Sequence, residues 1–358
     1  TTANSMCMVA EALGMTLPGN SSMSAVSSEI RNLSYEAGRQ IVRLVEEGIT
    51  ARKVMTVEAI KNAIMVDMAV AASSNLILHI PAIAHEAGYD LPWWKYFDEF
   101  SNEIPLLSHL APSGPYSLKD FDLAGGMPLL LKNLLPKLYG DVLTVTGKTL
   151  RENVQNAVCY NADVIHTLED PVMTEPGIGV LYGNLAPEGS IIKIAAVPEQ
   201  LMTFKGKAKV FDSLDEGLKA LRGGQVHEGD ALILRFMGLK GRFGTTAFTF
   251  QEELKGRPEL YNSCAIITDG RFSGGTSGLS VGYVSPEAAL KGPLGLVKNG
   301  DGIEIDIPNR SIHLNVSDEE LAKRREAFSW KFNEEEYPRY LRLFVKNVGS
   351  MAKGGIWE

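Results

Sequence analysis

Cysteine is scarce in this chain of 358 residues, with three in all (Cys7, Cys159 and Cys264). They lie far apart and make no C-x-x-C pair, which excludes a disulfide scaffold and a self-evident zinc site. Long apolar runs are also lacking, since none reaches the roughly 18–20 residues a bilayer span needs. The nearest, AIMVDMAVAASSNLILHIPAIA, is interrupted by Asp67, Ser73, Ser74, Asn75 and His79 and reads as buried helix. There is no basic run with interleaved aromatics, and the formal charge is −8. A nucleic-acid partner is therefore not expected, because it would need a basic face. The six histidines form no H-E-x-x-H or other ligand spacing. No internal repeat or low-complexity segment is present, and no secretory signal is seen, so a reducing cytoplasm with no membrane association is expected. The chain begins TTANSM without an initiator methionine.

What is there divides in two. Residues 1–170 read mostly as helix, in SMCMVAEALG, in SSEIRNLSYEAGRQIVRLVEEG with Gly48 as its stop, and in TVEAIKNAIMVDMAVAA from Thr56. SNLILHIPAIAHEAG and LAGGMPLLLKNLLPKL follow, with DVLTVTG as a short strand. Between 171 and 316 short β-branched runs recur, bounded by Gly, Pro, Asp or Asn: GSIIKIAAV, KAKVFDS, DALILRFMG, CAIITDG, LSVGYVS, DGIEIDIP and SIHLNVS. One helix interrupts them, SLDEGLKALRGG, opening with the capping pattern S-x-x-E at Ser213. Residues 317–358 return to helix. A helical part, a β-rich domain that is a sandwich or a closed barrel, and a helical tail are therefore expected.

Candidate chemistry centres on TDGRFSGGTSG, Thr268–Gly278. It is neither a Walker loop nor G-x-G-x-x-G between strand and helix. It reads either as a plain glycine-rich turn or as a loop whose small residues let a ligand approach exposed amides around Ser273. A serine needs a base, a metal or a positive field before it is nucleophilic or basic. Lys148-Thr149 could cap the helix that follows, and Asn184 could fix a turn. Asp269, Glu287, Asp301, Glu304 and Asp306 read individually as solvated or turn residues, and Glu252-Glu253 as a solvated helix face.

Taken in order, several segments resemble the dihydroxy-acid dehydratase and 6-phosphogluconate dehydratase family, which includes sugar-acid dehydratases. They are TANSM…AEALG…LPG, NAIMVDMAVAASSNLILHIPAIAHEAG, PSGPYSLKDFDLAGGMP, LTVTGKTLRENV, LYGNLAPEGSIIK, AKVFDS, GDALILRFMGLKG, ITDGRFSGGTSGLSVGYVSPEAA and KNGDGIEIDIP. The resemblance implies a fold of class α/β plus β, a partial α/β N-terminal domain (1–170) followed by a β-barrel-like C-terminal domain (171–316). It implies dehydration of a 2,3-dihydroxy carboxylate or sugar acid to a 2-keto acid, in a homodimer or homotetramer. It implies an iron–sulfur cluster (2Fe-2S) and Mg²⁺ in the full-length enzyme, with Ser273 as alkoxide base and Arg271 and Gly274 as substrate-binding residues. It also implies departures. The family's cluster cysteines belong to segments ahead of Thr1, so the chain is expected to lack the N-terminal cluster-binding part. No cofactor is then expected on this chain alone, and little activity. The family's magnesium-binding glutamate is replaced by Ala247, so no metal ligand is assigned. The alternative is a non-catalytic relative kept for ligand binding or assembly. Trp93-Trp94 and GRFGTTAF tilt the substrate expectation towards a sugar acid.

Overall fold

A helix that is apolar on most sides must be buried on most sides, and Val57–Val70 is buried at every position from Asn62 onward. Ile60, Ala63, Ile64, Met65, Met68 and Ala69 are all at most 2% exposed. In the computed structural model, which describes residues 2–357, this helix packs against Thr2–Ala12, Leu76–Glu86 and Trp93–Phe100. Thr56 caps its N-terminus by accepting from the Ala59 amide, and Ala71 ends it in the left-handed region at φ 45°. The long apolar run is therefore two helices with a break over 71–75. LAGGMPLLLKNLLPKL also divides, into Leu118–Ala124 and Gly126–Leu134, because Gly125 sits at φ 131°. These helices belong to the first of two compact units, residues 1–178.

The expected strand DVLTVTG is instead a turn carrying a single bridge, Leu143 to Thr149. Its threonines explain why. Thr146 N–H donates to Thr144 Oγ1 (3.3 Å) and Lys148 N–H to Thr146 Oγ1 (3.2 Å), so side chains take amides a ladder would need. Thr149 does cap the next helix, Leu150–Val154, in a reciprocal box with Glu152.

The second unit, residues 179–358, is built on one eight-stranded mixed sheet. Its strands are β1 (Gly179–Leu181), β2 (Gly189–Ile192), β3 (Thr203–Phe211), β4 (Asp230–Leu234), β5 (Ala265–Thr268), β6 (Ser280–Ser285), β7 (Gly302–Asp306) and β8 (Ser311–Asn315). All seven β-branched runs supply strands; only the three-residue β1 was not anticipated. The order is β1-β2-β6-β5-β4-β3-β7-β8. A bridge from Tyr182 to Ser311 joins the two ends, with Tyr182 N–H on Arg310 O and Ile312 N–H on Tyr182 O, both 2.9 Å. The sheet thus nearly closes into a barrel, as the family resemblance implied. Asn184 clamps the seam, exchanging two hydrogen bonds with the backbone of Leu314. That is the turn-fixing role.

Strands β3 to β6 are mutually parallel, and β4 to β6 are buried almost throughout, as parallel strands covered on both faces must be. One face carries Ala231, Ile233, Ala265, Ile267 and Val281 into a core shared with Ile303, Ile305, Ile312 and Leu314. The other carries Leu232, Leu234 and Ile266 against the helices Leu214–Arg222 and Phe248–Lys255, through Leu218, Leu221, Phe250 and Leu254. At the sheet's edge β7 and β8 alternate inward Ile303, Ile305, Ile312 and Leu314 with outward Glu304 and His313, so one face meets solvent. The sheet delivers the carboxyl ends of β4 and β5, and the loops that follow them, to one end, where parallel α/β sheets carry their sites.

Candidate functional site

The loop after β5 is held by backbone rather than left free. Arg271 N–H donates to Thr245 O (3.0 Å), Ala247 N–H to Arg271 O (2.8 Å) and Tyr283 N–H to Gly270 O (2.9 Å). Residues 270–271 thus run between β6 and the loop that follows β4. Phe272, 3% exposed, anchors the turn beneath Gly282, where a Cβ would lie 2.8 Å from the Phe272 ring. The chain then reverses around Ser273. Its N–H donates to Thr276 Oγ1 (3.0 Å), and its own Oγ accepts the Gly275 N–H (3.0 Å). Ser273 remains half-buried. A hydroxyl oxygen that accepts an amide is biased towards its anionic form, because the donor favours negative charge.

Arg271 is half-buried and its Nε donates to Gly244 O, so it pins the neighbouring loop. Gly274 is buried, and its carbonyl accepts from Lys193 Nζ at 3.1 Å. Lys193 was not picked out by the sequence reasoning. It directly follows β2, is only 6% exposed, and its signal was a lone cation inside the apolar run SIIKIAAV. Gln251, fully buried, donates to Ser277 Oγ (3.3 Å) and supports the far side of the turn.

Two acids read as solvated are the reverse. Asp269 has no exposed surface, and its two oxygens accept from Met237 N–H and Ala288 N–H, each at 2.9 Å. Burial lifts its pKa from the ordinary 3.8 to about 6, against the opposing pull of those amides. Glu287 is 3% exposed; Oε2 accepts from Lys240 N–H (2.9 Å), while Oε1 has no hydrogen-bond partner. Burial first, and the charge of Asp269 second, raise its pKa from 4.5 to about 8. The pair ties the loops after β4 and β6 to the base of the serine loop. Glu252 and Glu253 match their expectation more closely, Glu252 being exposed and Glu253 paired with Arg222 at the surface.

Among the described residues no group of three or more His, Cys, Asp or Glu is arranged to hold a metal ion. Cys7 and Cys159 are exposed, while Cys264 is buried with its Sγ 3.1 Å from His227 O. Ala247 lies against Arg271 with no exposed surface and no donor atom to offer. The residues in hand do not fit a cluster or a magnesium ion.

Comparison with known proteins places these observations. The model for the dihydroxy-acid/6-phosphogluconate dehydratase C-terminal domain matches residues 163–355. The corresponding N-terminal model matches residues 1–153. The expectation that the chain lacks the family's N-terminal part is thereby overturned, since both domains are represented. The departures at its start had suggested a loss that the match across 1–153 contradicts. A dihydroxy-acid dehydratase of Methanococcoides burtonii is 45% identical over 100% of this chain and 65% of its own length. Dihydroxy-acid dehydratase 1 of Methanosarcina acetivorans is 45% identical over 99% and 64%. That of Caldanaerobacter subterraneus is 43% identical over 100% and 64%. The chain thus spans just under two thirds of the length of these relatives. With both domain models matched in order along the chain, the protein belongs to the dihydroxy-acid/6-phosphogluconate dehydratase family.

Proposed function

We propose that the protein is a hydro-lyase that converts a 2,3-dihydroxy carboxylate to a 2-keto acid, with Ser273 as the base. The observation that carries this reading is the serine turn. Ser273 is half-buried, its Oγ accepts the Gly275 amide, and two small residues, Gly274 and Gly275, follow it. In the reaction the C2 proton passes to Ser273 Oγ, the C3–O bond breaks with loss of the hydroxyl, and the enol tautomerises to the keto acid. One water is lost overall. Ser273 must be anionic to accept that proton, and an oriented amide is one of the few neutral groups that stabilise an alkoxide.

Membership of this family implies iron–sulfur and Mg²⁺ use in the holoenzyme. Because the described residues do not fit either group, the chemistry assigned to this chain is confined to proton transfer at C2 and to holding the substrate. Arg271 and Gly274 flank the serine and are proposed to line the substrate's path. The relatives' names make a dihydroxy acid the first substrate to assay, with sugar acids second. Among the described residues no helix is long and apolar enough to cross a membrane. A homo-oligomer acting in the cytoplasm on a small hydroxy acid is the setting proposed. The test is keto-acid formation by the holoenzyme and its Ser273→Ala variant. Turnover should fall by orders of magnitude, and a variant with near-normal turnover would remove Ser273 from the reaction.

A further inference from the structure

A buried ammonium is costly unless its surroundings reward the charge, so one placed under a functional turn calls for a reason. Lys193 is such a group. It leaves β2 at Ile192, in a stretch otherwise made of Ile191, Ile192 and Ile194, all at most 2% exposed. Its Nζ donates to the Gly274 carbonyl at 3.1 Å, on the same peptide whose Gly275 N–H donates to Ser273 Oγ. A second contact joins the same segments, since Gly278 N–H donates to Ala196 O (2.9 Å). The segment 193–196 therefore supports the serine turn at both its apex and its exit.

Three other charged side chains on the neighbouring segments are bonded to backbone groups. Arg271 Nε is held by Gly244 O, and Asp269 and Glu287 are bound by the amides of Met237, Ala288 and Lys240. Lys193 is a cation that bonds the apex of the turn directly, through the Gly274 carbonyl.

We propose that Lys193 is the positioning residue of the serine turn, fixing the Gly274 carbonyl and setting a positive charge one peptide away from the Ser273 oxygen. This rests on the reading of Ser273 as the base. A fixed ammonium at that range favours the alkoxide over the hydroxyl. In a partly screened interior, its removal raises the serine pKa by roughly one to two units. Each such unit lowers the ionised fraction about tenfold at a given pH.

The experiment compares the holoenzyme with Lys193→Met, Lys193→Arg and Ser273→Ala, measuring kcat and KM for a 2,3-dihydroxy carboxylate from pH 6 to 10. Circular dichroism checks that each variant folds. K193M is expected to keep KM within about twofold, to lose about tenfold or more in kcat near neutrality, and to move the ascending limb of the profile up by about one pH unit. K193R, which keeps the charge, should recover most of the rate and return the limb to its original place. If K193M has the original kcat and limb, the proposal is overturned. A slower K193M with an unmoved limb, and no rescue by K193R, assigns Lys193 a packing role and overturns it equally. Should K193M not fold, K193R decides alone: a limb displaced as far as charge removal would move it counts against the proposal, and an unmoved limb supports it. Failure of the underlying reading is separate, because it shows as an active S273A.

Discussion

Replacing Glu287 by Gln isolates the buried acid pair, and the outcome can be worked out beforehand. Glu287 titrates near 4.5 when solvated and near 8 in the fold, chiefly because burial penalises its charge. Below pH 4.5 both states carry the proton, and the group's contribution to stability is fully present. As pH rises the unfolded chain releases its proton while the folded chain keeps it, so stability falls until the folded group also ionises near pH 8. Asp269 shows the same sign but completes its loss near pH 6. Between these two values Glu287 is the acid of the pair that still imposes a slope. Two pH units at 1.36 kcal/mol each give a loss on the order of 3 kcal/mol. For a unit of this size that is a fall of roughly 6–12 °C in Tm. Glutamine matches the protonated acid in shape, can still accept the Lys240 amide, and cannot ionise. Urea unfolding of both proteins at pH 6, 7 and 8 should show the original chain losing stability and E287Q nearly flat by comparison. Equal slopes in the two proteins would mean that Glu287 is already charged at pH 6, and the burial argument would fail.

Two further substitutions probe the same frame. Asp269→Asn leaves one of two backbone amides, Met237 or Ala288, facing a side-chain NH₂ instead of an oxygen. It should cost about 2–3 kcal/mol by urea unfolding at pH 7, and a loss under 0.5 kcal/mol would contradict the two-amide clamp. Gly238→Ala would put a Cβ 2.2 Å from Glu287 Oε2. Because that carboxyl is buried and bonded to Lys240, it cannot swing aside freely. A destabilisation of about 1–3 kcal/mol is expected, which E287Q alone does not produce, and an unchanged midpoint would show the carboxyl to be mobile.

How much of this was legible in the sequence depends on whether a feature is local. Ile303, Ile305, Ile312 and Leu314 announce their strands because alternation with Glu304 and His313 is written along the chain. The caps at Thr56, Thr149 and Ser213 are likewise set by neighbours three residues apart. The helix Trp93–Phe100 was missed although Trp93, Trp94, Phe97 and Phe100 mark one face at helical spacing. β1 was hidden because three residues carry too little pattern to read. The serine turn was legible as a candidate, but its supports were not. Whether Asp269, Glu287 and Lys193 are solvated or buried is decided by which loops the sheet brings together. Those partners lie 32, 47 and 81 residues away in the chain. A charge inside an apolar run, as at Lys193, is the one local hint of that kind.

The most direct test of the central claim is the fate of the C2 proton. With a substrate deuterated at C2, the holoenzyme should form keto acid with a primary isotope effect. Ser273→Ala should form essentially none while its fold and cofactor absorbance stay unchanged. Keto acid formed by Ser273→Ala at a rate near the original would contradict the account. So would the absence of turnover by the intact holoenzyme on every dihydroxy and sugar acid tried.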